Sequence, residues 1–191
     1  MRTARVSAGL VGVCMMAGAI LAQQQTVYSN PEYRIRLRVP EQARLCTAPK
    51  NEHDHGFVLL LNGGGAKACH TDAEYRNISV FAFGNALDDT KHLPGLLNMG
   101  CEDYGTSCRS GPPGLAIPGL ASATGQVDAP KGWVQVVVAT QAGEPSPFDP
   151  GEPSINYLFQ LQTKPEFLDQ DLRVFQTVLT TVKLGSNYGA K

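Results

Sequence analysis

The chain lacks every short pattern that would name a reaction. No Gly-x-x-x-x-Gly-Lys-Ser/Thr loop forms around Gly63-Gly64-Gly65-Ala66-Lys67, no Gly-x-Ser-x-Gly elbow surrounds Ser107 or Ser110, and neither a Cys-x-x-Cys nor a His-x-x-x-His spacing occurs. A nucleotide-binding loop, a hydrolase nucleophile elbow and the common zinc spacings are therefore not indicated, and the expectation is a protein that binds rather than an enzyme. Beyond the N-terminal segment no apolar run approaches the roughly 20 residues needed to span a bilayer, so no stable membrane span is expected there. Positive charge is not in excess either, which removes nucleic acid from the expected partners.

What the N-terminus does contain is a leader. Arg2 and Arg5 precede an uncharged stretch from Val6 to Ala22, and the composition turns polar at Gln23-Gln24-Gln25. A basic start, an apolar middle and a small residue before a polar segment form a bacterial signal peptide, with cleavage expected after Ala22. Val13 before Cys14 does not suit lipidation. Of 191 residues, 169 then remain as residues 23–191, enough for one secreted domain. Loss of Arg2 and Arg5 leaves 14 basic against 17 acidic residues, a net charge of −3.

Cys46, Cys69, Cys101 and Cys108 remain after the leader, and an even count in an oxidising compartment reads as two disulfides. Three pairings are possible. The short segment Glu102 to Ser107 favours closing Cys101 on Cys108, which leaves Cys46 for Cys69, and a bridge that small would brace a loop rather than hold a core. The expected location is the periplasm.

Alternation over Tyr33-Arg34-Ile35-Arg36-Leu37-Arg38-Val39 predicts a strand with Tyr33, Ile35, Leu37 and Val39 inward and the three arginines on the other face. The Asn30-Pro31 turn signal predicts a short preceding strand near Val27 folded back as a hairpin. Strands are also expected over Gly56 to Leu61, Ile78 to Phe83, Leu120 to Val127, Trp133 to Gln141 and Ile155 to Leu161. A helix is expected between Asn85 and Met99, then an irregular connection from Gly100 to Gly119. Leu168, Leu172, Phe175, Leu179 and Val182 mark a closing amphipathic helix.

The order of these elements, with Tyr28-Ser29-Asn30-Pro31-Glu32-Tyr33 leading into Arg36-Leu37-Arg38-Val39-Pro40 and Tyr157-Leu158-Phe159-Gln160-Leu161 leading into the terminal helix, resembles the PsbP-like fold. The resemblance implies an α+β chain, an antiparallel sheet flanked by helices in an α/β/α sandwich. It also implies a binding or assembly role. The cysteine-bearing segments depart from the simplest members of that group.

Three of the four histidines, His53, His55 and His70, fall near one expected disulfide, with Glu52 and Asp54 beside the first two. That chemistry could hold zinc or copper, although a polar loop with histidines is ordinarily only solvated, and no cofactor is otherwise expected. Asn77-Ile78-Ser79 matches a glycosylation sequon but enters a buried-looking strand. Trp133 is expected to close an end of the core rather than stand as an exposed anchor. The expected function is a non-catalytic periplasmic binding protein, an inhibitor or immunity protein against a cell-envelope-acting enzyme, with a protein partner in the envelope. Its contact loop is expected between Cys101 and Pro113, through Glu102, Asp103, Tyr104 and Arg109. The alternatives are a periplasmic metal-binding protein and an envelope assembly factor.

Overall fold

The computed structural model describes residues 26–47, 55–62, 69, 75–84, 92–102, 107–143 and 154–189. The fold is α+β, with two antiparallel sheets and two α-helices.

The first hairpin forms as the alternation requires. Strands β1 (Val27–Asn30) and β2 (Ile35–Arg38) pair antiparallel across the Pro31 turn. Tyr33, Ile35, Leu37 and Val39 are all buried. Arg36 and Arg38 point outward, but Arg34 departs from the expected strand face. It lies in the turn at φ 46°, because the chain reverses there before β2 begins. Strand β10 (Lys183–Leu184) pairs with β2 to complete a three-stranded sheet ordered β1-β2-β10.

The larger sheet has seven strands ordered β3-β4-β5-β9-β8-β7-β6: β3 (Arg44–Thr47), β4 (Gly56–Leu60), β5 (Asn77–Gly84), β6 (Arg109–Ser110), β7 (Ser122–Ala129), β8 (Trp133–Ala142) and β9 (Ile155–Thr163). Consecutive side chains alternate between its two faces. One face carries Phe57, Leu59, Ile78, Val80, Val136, Val138, Tyr157 and Phe159. It packs against the three-stranded sheet and against Phe175, Val178 and Leu179 of helix α2 (Leu168–Thr181), forming the main core. The other face carries Val127, Val137, Ala139 and Leu158, which pack under helix α1 (Leu93–Glu102). The order of layers is therefore α1, seven-stranded sheet, then the three-stranded sheet with α2.

Helix α1 sits further along the chain than the periodicity predicts. It begins at Leu93 with Pro94 in the first turn, where a missing N–H costs nothing, and runs past Gly100 to Glu102. Gly100 is an interior helix position rather than the start of a loop. A Cβ there would come within 2.8 Å of Val137 Cγ1 and 3.3 Å of Leu158 Cδ2, so glycine is what lets the helix lie this close to the sheet.

The last carbonyls of a helix have no partner within it. At α1 the sheet supplies one. The Gly100 carbonyl accepts from Gln160 Nε2 at 3.2 Å and from Gln135 Nε2 at 3.5 Å, and Ser79 Oγ donates to Gln160 Oε1 at 3.3 Å. These buried polar residues on strands otherwise apolar are thereby satisfied. At the opposite layer, buried Asp171 of α2 accepts from Thr163 Oγ1 at 2.5 Å and lies 3.1 Å from Arg76 Nε, and the Arg76 guanidinium stands 4.0 Å from the ring centre of Phe167. Trp133, half-buried at the start of β8, is covered by the Lys164 ammonium 4.2 Å above its ring, and Lys164 also donates to the Lys131 carbonyl at 2.7 Å.

Candidate functional site

Both cysteine pairs stand at disulfide distance in the favoured pairing. The Cα atoms of Cys46 and Cys69 are 5.4 Å apart and those of Cys101 and Cys108 are 5.6 Å apart, both within the range a disulfide spans. The two bridges lie on one face of the seven-stranded sheet, the α1 face. Cys101, fully buried at the end of α1, is tied to Cys108 just before β6. Cys108 in turn packs on Gly125 of β7, where an added Cβ would meet its sulfur at 2.5 Å. Cys46 of β3 packs with Leu60, Val58, Cys69 and Tyr75 toward the opposite edge. One bridge marks each side of the sheet.

Between them α1 covers β9, β8 and β7, and the face is exposed at one point on β5. Phe81, on an interior strand, is 46% exposed, whereas its neighbours in sequence, Val80 and Ala82, point to the core and are buried. The register explains the opening. Phe81 stands opposite Gly56 on β4, which has no side chain to cover it, and opposite Leu158 on β9, which is largely taken up under α1. Phe83, two residues on, is half-buried against the α1 cluster. The result is an exposed aromatic ring beside α1, next to buried Ser79 and Gln160, with a disulfide toward each edge of the sheet.

The residues expected to contact a partner divide. Glu102 is exposed at the last position of α1, and Arg109 is exposed on β6. The Arg109 guanidinium is engaged by Asp128 of β7 as a two-pronged pair, Nη1 donating to Oδ2 at 2.9 Å and Nη2 to Oδ1 at 2.6 Å. Asp103 and Tyr104 lie outside the described residues. So do His53 and His70 of the metal reading. His55 is described and exposed at the start of β4, its Nδ1 2.5 Å from the Tyr33 hydroxyl. Among the described residues no three His, Cys, Asp or Glu side chains gather where they could share a metal ion. Asn77 of the sequon is buried and donates through Nδ2 to the Tyr75 carbonyl at 2.9 Å.

Sequence reading placed Phe81 in a strand but did not single it out as exposed. The available signal was Ser79 on the same face two positions earlier, since a serine there shows that this side of β5 is less apolar than the side carrying Ile78, Val80 and Ala82.

No protein-family model and no curated protein sequence matches the chain. Among solved structures it is similar to LpqN, described as involved in cell envelope biogenesis of Mycobacterium tuberculosis, at 13% identity and a TM-score of 0.45, over 85% of this chain and 86% of that one. A likeness of this size carries neither a fold family nor a function across. Among the described residues no helix is long and apolar enough to cross a membrane.

Proposed function

We propose that the chain is an exported, non-catalytic binding protein that engages a protein partner in the cell envelope, acting as an inhibitor or immunity protein of an envelope-acting enzyme. The observation that carries this reading is the placement of both disulfides on the α1 face of the seven-stranded sheet, with the exposed ring of Phe81 between them. A surface already pinned by covalent bridges and sheet pairing loses little conformational freedom when a partner covers it. An exposed aromatic on such a rigid floor is the kind of side chain on which binding energy concentrates. In this reading the Cys101–Cys108 segment, through Glu102, Asp103 and Tyr104, supplies further polar contacts, while Arg109, which the register sets on the opposite face of the sheet with Asp128, takes no part in the Phe81 contact. Two disulfides also suit a protein that works outside the reducing cytoplasm.

The test is a pair of capture columns, one carrying the oxidised processed chain and one its Phe81→Asp variant, each loaded with envelope extract and read by mass spectrometry. Stoichiometric retention of a single envelope hydrolase by the wild type, reduced about tenfold or more on the variant column, is the expected result. Equal retention on both columns overturns the site. Retention of nothing by the wild type overturns the binding role.

A further inference from the structure

The three-stranded sheet presents its outer side to solvent, and that side is basic. Alternation along β2 sends Arg36 and Arg38 outward while Ile35 and Leu37 enter the core. The register then sets Lys183 of β10 directly across from Arg36 on one side and Ser29 of β1 across from it on the other, with Val27 opposite Arg38. Ser29 Oγ and the Tyr188 hydroxyl are 2.7 Å apart, so the segment after β10 reaches as far as β1. The outward positions of the three strands are thus Val27, Ser29, Arg36, Arg38 and Lys183, three cations and no acid. Among the described residues none of the three cations forms an ion pair.

Such a face carries an electrostatic cost. Like charges directly opposite in an antiparallel pair repel. The C-terminus of α2, whose Thr181 hydroxyl accepts the Arg38 backbone N–H at 3.1 Å, presents only a partial negative charge and offsets a fraction of it. The whole chain carries a net charge of −1, so this positive patch is local rather than a share of a general excess.

We infer that this face docks on an anionic phospholipid bilayer. Strand pairing makes it a continuous exposed surface, and beside Arg38 it exposes Val27 at 42%, so it offers an apolar side chain together with cations, the combination a lipid interface accepts. Docked this way, the α1 face with both disulfides and Phe81 points away from the lipid, since the three-stranded sheet occupies the opposite layer. The inference goes beyond the proposed function and stands on different residues.

Co-sedimentation of the processed chain with phosphatidylglycerol-containing vesicles, against vesicles of phosphatidylcholine alone, tests it. Binding is expected only to the anionic vesicles and is expected to fade as salt shortens the Debye length to about 3 Å near 1 M. The triple variant Arg36→Gln, Arg38→Gln, Lys183→Gln lowers the partition coefficient by about 100-fold, roughly fivefold per cation. Its melting temperature stays level or rises, because the variant removes an unfavourable cross-strand pair. Equal partitioning of variant and wild type overturns the inference, as does failure of the wild type to sediment with anionic vesicles, which would point to an acidic protein surface instead. Inorganic phosphate displacing the wild type beyond the effect of chloride at matched ionic strength would also overturn it, marking a small-anion site.

Discussion

Asp171 is 1% exposed, and a carboxylate that deep is tolerated only because Thr163 and Arg76 answer it from the sheet side while Phe167 stacks on the guanidinium. Removing one member of a buried pair leaves the other uncompensated, which costs more than the pair itself contributes. Asp171→Ala is therefore expected to lower unfolding free energy by about 3 kcal/mol in a denaturant titration; a loss below about 1 kcal/mol would show that water already serves Arg76. Arg109 is the contrasting case. Its two-pronged pair with Asp128 has good geometry, but the side chains are 55% and 68% exposed, and water screens them. Arg109→Ala should change stability by less than about 1 kcal/mol, so any larger effect on partner capture would report binding rather than folding. Neither pair was legible in the sequence, because Arg76 and Asp171 are 95 positions apart and only the docking of α2 brings them together. The inward set Tyr33, Ile35, Leu37 and Val39 was legible, since a period of two needs no tertiary information.

Among the elements, α1 depends on close approach more than on apolar area. Gly100 touches the sheet, and the Gly100 carbonyl is held by Gln160 and Gln135. Gly100→Leu is expected to displace the helix and cost about 1–3 kcal/mol, read as a lowered melting temperature, since the added atoms would have to enter the space of Val137 and Leu158. An unchanged melt would mean that the helix end frays without consequence. This position also explains why the helix was misplaced in sequence. Glycine is an ordinary stop signal, and nothing local distinguishes a glycine that ends a helix from one that packs it. Strands β3, β6 and β10 escaped for a related reason: with two to four residues each they carry too few alternations to show a period, and pairing with β4, β7 and β2 defines them. In β9 the polar Asn156 and Gln160, which alternate with the apolar positions, are nevertheless buried, on the side that α1 covers.

At the scale of the whole molecule the two outer sides have opposite character. One is covalently braced and carries the exposed Phe81. The other is a small sheet with three cations that form no ion pair among the described residues. The bridges were predictable because the count was even and one loop was short; that both fall on the same sheet face was not, because it depends on the register of β3, β4 and β7 in the sheet. Replacing Cys46 and Cys69 together by serine opens a loop of 23-residue separation and is expected to cost about 3 kcal/mol of stability. Loss of the Cys101–Cys108 bridge should leave the main core in place, since that bridge lies across the sheet from it, while weakening partner capture; near-UV circular dichroism with parallel capture would separate the two effects. The most direct measurement is the turnover of the captured envelope hydrolase as the oxidised protein is titrated in. The account predicts that turnover falls to a floor at about one equivalent, as a tight complex requires, and that Phe81→Asp leaves turnover unchanged. Undiminished turnover in an excess of the wild-type protein would contradict it.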